Sequence, residues 1–138
     1  MPFLILAMAV VGADPWPEEA QQELKLLLGN WMIKSSERDG KQLEYEQPND
    51  YIFEIKDDKW MSDGKEHSRI IGIDPKANPK CYDLKALGNN EGGRVSRVIY
   101  KLEGNTLTTC YSFDNIRPEK FRSLDDRTVV AVWKRIKQ

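Results

Sequence analysis

Turn signals recur along this chain at the spacing of β-hairpins, and between them apolar residues repeat at every second position. Asp39-Gly40, Asp57-Asp58, Asp63-Gly64 and Glu103-Gly104-Asn105 each separate runs rich in β-branched and aromatic residues. Asp-Gly suits a two-residue hairpin turn, because both residues there take positive φ. The runs fall at about residues 31–35, 51–55, 59–61, 69–73, 81–84, 98–102, 106–111 and 128–134. That predicts about eight short strands. No helical pattern is long enough to carry a crossover between parallel strands, so the pairing must be antiparallel, as a sandwich or an up-and-down barrel. Pro75 and Pro79 interrupt any ladder between the fourth and fifth runs, since proline has no N–H to donate.

One helix precedes the strands. Pro17 suits a first helical turn, and Glu18 and Glu19 complement the positive end of the helix dipole. Ala20, Leu24, Leu27 and Leu28 share a face at helical spacing, and Gly29 is placed to end the helix. A barrel plugged or flanked by this helix is the expected architecture: an all-β, antiparallel up-and-down barrel with a short N-terminal helix.

The first residues set a compartment. From Phe3 to Val11 the chain is uninterrupted apolar sequence, far shorter than the ~20 residues of a membrane-spanning helix. Val11-Gly12-Ala13 precedes the polar, proline-rich Asp14-Pro15-Trp16-Pro17. This is the layout of a cleavable signal segment over residues 1–13, with one mature domain over 14–138. The expectation is therefore an exported protein, periplasmic or extracellular, with no membrane span. No Lys or Arg precedes the apolar run, so only the α-amino group supplies the positive charge there.

At 138 residues the chain is one domain by size. Its 21 basic and 22 acidic residues are well mixed, which gives no field for nucleic acid. One His and two Cys are too few for the familiar zinc or haem spacings, so neither a metal nor a cofactor is expected. If residues 81–84, 95–102 and 106–111 form a meander, the middle strand holds Cys81 and Cys110 about 9–10 Å apart, beyond the ~7 Å that a disulfide spans.

Several short motifs stand in a set order. Leu28-Gly29-Asn30-Trp31 is followed by Glu37-Arg38-Asp39-Gly40-Lys41, then by Asn78-Pro79-Lys80 with Asp83-Leu84. Ile99-Tyr100-Lys101-Leu102-Glu103-Gly104-Asn105-Thr106-Leu107 comes next, and Arg117-Pro118 and Lys134-Arg135 close the series. In this order, over about residues 22 to 136, the chain resembles the small exported domains expanded in planctomycete bacteria, a lipocalin-like barrel family. The Gly-x-Trp motif with a late basic residue is also the lipocalin pattern, in which the Trp packs across the barrel bottom beneath an Arg. The resemblance implies a lipocalin-like barrel with Trp31 in that place, under Arg135 or Arg117; it implies no particular ligand or reaction.

The residues leave few catalytic options. His67 is the only His, with Ser62, Ser68 and Asp63 near it in sequence. Neighbours on a strand point to opposite faces, and no strand–elbow–helix surrounds a nucleophile. His67 is thus expected to face solvent. Asp57-Asp58 and Asp125-Asp126 are explained by turn chemistry. Arg117, beside a rigid proline, suits either a bound carboxylate or a salt bridge closing the barrel rim. Tyr51, Phe53, Tyr100 and Tyr111 occupy period-two positions that can share one interior. They either line a ligand cavity or fill the barrel solidly, because eight strands leave room for side chains or for one small ligand. The leading expectation is a non-catalytic exported module holding a small apolar ligand or a protein partner. An enzyme with a pocket at the barrel mouth and a structural envelope component are the alternatives.

Overall fold

The computed structural model describes residues 16–46, 50–87 and 93–136; the proposed signal segment lies outside them. Helix α1 (Glu18–Leu27) leads into nine strands: β1 (Gly29–Arg38), β2 (Lys41–Glu44), β3 (Ile52–Lys56), β4 (Lys59–Ser62), β5 (Lys65–Asp74), β6 (Lys80–Ala86), β7 (Val95–Glu103), β8 (Thr106–Ser112) and β9 (Thr128–Ile136). They pair in the order β2-β1-β3-β4-β5-β6-β7-β8-β9, and β1 also pairs with β9. The second pairing closes eight antiparallel strands into a barrel, which leaves no open edge among them. Strand β2 is the ninth; it extends the β1 hairpin beyond the ring through Ser35↔Glu44 to Arg38↔Lys41.

The turns obey the chemistry read from the sequence. Asp39 and Gly40 both have positive φ, as do Asp63 and Gly64. Asp57 takes φ 57° at the turn between β3 and β4.

Alternation sorts the side chains into a barrel interior and an outer wall. Trp31, Ile55, Ile70, Tyr82, Val98, Tyr100, Leu107 and Trp133 form the interior with Leu27 of the helix. Each fully buried side chain of this size contributes roughly 1.5–3 kcal/mol by leaving water. The helix closes the end where β1 begins. Its buried residues are Ala20, Glu23 and Leu27. The helix stops one residue earlier than the sequence suggests: Leu28 is already extended, and Gly29 opens β1 with φ 136°. Glycine is required at that position for a second reason: an added Cβ would lie 3.3 Å from the Arg135 guanidinium.

Trp31 is fully buried there. Its indole N–H donates to the Leu27 carbonyl over 2.9 Å, and the Arg135 guanidinium stands 4.4 Å above its ring. Arg135 also donates to the carbonyls of Leu28 and Leu26, tying the last strand to the helix end. Such a stack contributes about 0.5–2 kcal/mol.

The outer wall of β6 to β9 is covered by the connection of residues 113–127. Cys81, Ile99, Cys110 and Val130 form a small second core beneath it, packed against Phe121. Arg117 anchors this connection. It donates to the carbonyls of Tyr82 and Val98 over 3.1 Å each and pairs with Asp83 at 2.6 Å. The expected salt bridge therefore forms halfway up the outer wall, not at the rim, because the chain between β8 and β9 folds back down the barrel side.

Both cysteines are unbonded and buried. Cys81 pairs with Ile99 across β6–β7, and Ile99 with Cys110 across β7–β8. One whole strand thus separates the thiols, as the meander requires. Burial raises both thiols, Cys110 to about 11. Thiol titration of unfolded, unreduced protein is expected to find two free thiols, and alkylation of the folded protein at pH 8 to be slow, since the thiolate is scarce. Recovery of an intramolecular disulfide would contradict the strand order.

Candidate functional site

The barrel end opposite the helix is open onto a cavity of about 670 Å³, within the ~300–1,000 Å³ of small-molecule pockets. Its floor is aromatic. Phe53, Trp60 and Trp133 meet edge to face in a triangle, with centroids 5.3 Å (Phe53–Trp60), 5.7 Å (Phe53–Trp133) and 5.6 Å (Trp60–Trp133) apart. This is the favoured packing of aromatic quadrupoles, about 0.5–1.5 kcal/mol per pair beyond burial. Val98, Ala131 and Tyr82 continue the apolar wall. The Trp133 indole N–H donates to Thr109 Oγ1 over 3.3 Å. The Trp60 indole N–H is buried with no acceptor among the described residues, a cost of about 1–3 kcal/mol.

The rim is polar and cationic. Arg38 and Lys41, register partners on the β1–β2 hairpin, line it with Arg94. Arg38 and Arg94 hold their guanidinium carbons 5.2 Å and 5.4 Å from the centroid of the Phe113 ring. Arg38 Nε also donates to the Asp126 carbonyl over 2.9 Å. Tyr45 and Tyr51 pack edge to face at 5.4 Å on the same rim, and the Tyr45 and Ser36 hydroxyls share a 3.2 Å hydrogen bond. No Asp or Glu is among the described residues that line the cavity.

Three of the four aromatic positions proposed from the sequence meet here: Tyr51, Phe53 and Tyr111 line the cavity. Tyr100 does not line it. It lies at the helix end, buried, with its hydroxyl donating to Glu23 over 2.8 Å. Burial, then the hydrogen bond to Glu23 and its charge, push the Tyr100 hydroxyl far up, and Lys80 pairs with the same carboxylate at 3.0 Å. Tyr100 shares the interior but belongs to the plug, because β7 runs from the mouth at Val95 to the bottom at Glu103.

His67 is exposed as expected, yet it also lines the cavity, 5.4 Å from the Phe53 ring. Its Nδ1 lies 3.2 Å from Ser68 Oγ, and Ser68 lines the cavity too. Strict alternation forbids this. The register of β4 with β5 shifts between Trp60↔Ser68 and Met61↔Glu66, which leaves His67 as an extra residue; such a bulge re-aims neighbouring side chains. The contact lacks the carboxylate that orients the imidazole in a triad, since no acidic residue lines the cavity among those described. Among the described residues no group of three or more His, Cys, Asp or Glu is placed to hold a metal ion, and no helix is long and apolar enough to cross a membrane.

Sequence reasoning passed over Trp60, Trp133 and the rim cations. Both tryptophans lie on strands legible in the sequence, and period two alone places Trp133 with Ala131 and Val129. Arg38 could not be found that way. The β1–β9 register shifts between Ile33 and Ser35, so the inward set changes from Trp31 and Ile33 to Ser36 and Arg38. No protein-family model matches the chain, and no curated protein matches it.

Proposed function

We propose that this protein is an exported, non-catalytic binding module that holds a small, largely apolar molecule in the mouth of its barrel. The observation that carries the reading is the cavity of about 670 Å³ floored by Phe53, Trp60 and Trp133. A small barrel with a solid core would have spent those side chains on filling the interior; here they form walls around open space. Concave, mostly apolar cavities with a few placed polar groups are the usual shape of a small-molecule site. The apolar run before Asp14 supports export. The order of motifs resembles that of the planctomycete exported domains, and this resemblance supports a place among them.

Protein purified from its native cells under mild conditions tests both parts at once. Denaturing intact mass is expected to show a chain starting at Asp14. Native mass spectrometry is expected to show an added mass that solvent extraction removes. Titration of an extracted apolar compound back into the protein should change the emission of Trp60 and Trp133, which line the cavity. A full-length chain in the correctly localised protein defeats the export reading. Absence of any co-purifying compound, together with no response to a panel of apolar probes, defeats the binding reading.

A further inference from the structure

Aromatic side chains are not spread evenly through this barrel. The chain has four Trp, five Tyr and four Phe. Two of the tryptophans, two of the phenylalanines and four of the tyrosines line the mouth cavity among the described residues. The interior away from the cavity is packed differently. Leu27, Ile55, Ile70 and Leu107 fill it with Trp31 and Tyr100, and none of these six lines the cavity. The same fold thus uses mostly aliphatic side chains where it packs solidly and mostly aromatic ones around open space.

The lining rings hold one another upright. Phe53 meets Trp60 at an interplanar angle of 62° and Trp133 at 83°, and Trp60 meets Trp133 at 70°. Tyr45 and Tyr51 stand at 67°, Tyr111 and Phe113 at 85°. Rings locked edge to face do not stack on each other. A flat ring placed among them meets faces and edges in several directions. Both contacts are favourable, because an aromatic ring is negative on its face and positive at its edge. An alkyl chain gains only burial in the same space, and it gives up more rotamer freedom to enter.

We infer that the molecule held in the barrel is a flat compound of fused or linked aromatic rings, seated against Phe53, Trp60, Trp133 and Tyr111. The cavity has the volume of sites that hold drug-sized molecules, which sets the guest above a single ring. This assignment rests on the binding reading above and adds the chemical class of the guest.

The test compares three neutral alcohols of equal carbon count at pH 7, each below its solubility limit: 2-naphthol, decahydro-2-naphthol and 1-decanol. Binding is measured by calorimetry and confirmed by NMR shifts of the protein amides. Burial alone favours the saturated ring and the chain, since both carry more apolar surface than 2-naphthol. Aromatic contact reverses that order. 2-Naphthol is expected to bind about tenfold more tightly than decahydro-2-naphthol, which shares its skeleton and its rigidity. The ring protons of bound 2-naphthol are expected to move upfield, as protons over an aromatic face do. Phe53→Leu and Tyr111→Leu each keep an apolar wall and remove a ring. Each is expected to cut the advantage of 2-naphthol by about threefold or more while leaving 1-decanol binding unchanged. The comparison of guests on the unaltered protein stands even if a variant folds poorly. Binding of 2-naphthol no tighter than that of decahydro-2-naphthol overturns the inference and leaves the binding reading intact. Failure of all three compounds to bind removes the binding reading itself.

Discussion

Replacing Trp31 by alanine is expected to destabilise the domain by about 3–5 kcal/mol, the range for truncating a large aromatic in a packed core. Trp31 is completely buried and holds three elements together. Its ring belongs to the same buried cluster as Leu27, Ile55 and Trp133 in the barrel core. Its indole N–H satisfies the Leu27 carbonyl at the helix end. Its face carries the Arg135 guanidinium, 4.4 Å from the centroid. Alanine leaves a cavity, a helix-end carbonyl without its donor, and a half-buried cation whose Nε already has no partner among the described residues. Against a typical total of ~5–15 kcal/mol, that is a large fraction of the stability. Chemical denaturation of both proteins decides it. Trp31→Phe keeps most of the volume and should recover more than half of the loss. A loss below about 1 kcal/mol for alanine would mean that Trp31 is not part of the core.

The second large effect concerns Asp83. It receives Arg97 at 2.7 Å and Arg117 at 2.6 Å, one on each carboxylate oxygen. Arg117 reaches it from the connection between β8 and β9, so this carboxylate pins residues 113–127 to the barrel wall. Asp83→Ala is expected to cost about 2–4 kcal/mol, for two charge-assisted hydrogen bonds and two half-buried cations left side by side. An ordinary exposed pair would contribute only ~0–1 kcal/mol. The difference lies in the carbonyls of Tyr82 and Val98, which hold Arg117 against the wall. The same variant should expose Cys81 and Cys110, because the pinned connection covers them. Native-state alkylation is then expected to speed up by an order of magnitude or more, against little change for an Asp126→Ala control in an exposed turn. Unchanged stability and unchanged thiol reactivity would show that the wall contacts alone hold the connection.

The residues of the site differ in how far the sequence reveals them. Phe53 and Tyr111 follow from local alternation on strands bounded by clear turns. Tyr51 follows too, although it stands just before β3. Tyr100 obeys the same period and points inward, but inward is not the same as cavity-lining. Its height in the barrel depends on which end the helix plugs, and that is settled by Glu23 reaching both Tyr100 and Lys80. His67 and Arg38 were hidden for another reason. Each lies at or beyond a register shift, on β5 and β1, the strands of ten residues. A single extra residue reverses which positions face inward, and bulges carry no reliable mark in a lone sequence.

The sequence by itself determined the fold class and the order of most strands; the separation of Cys81 from Cys110 followed only once β7 was seen to lie between β6 and β8. Fold class and strand order follow from short-range physics: period-two burial, turns that need positive φ, and hairpin connections too short for anything but antiparallel neighbours. It did not reveal β2, whose four residues are all exposed and so show no alternation. Tertiary structure alone decided the rest. Closure of β1 on β9 set the cavity size, the bulges turned Arg38 and His67 to the mouth, and the fold-back of residues 113–127 covered the outer wall. Each of these depends on contacts between residues far apart in the chain, where the chain's curvature rather than its local pattern fixes who meets whom.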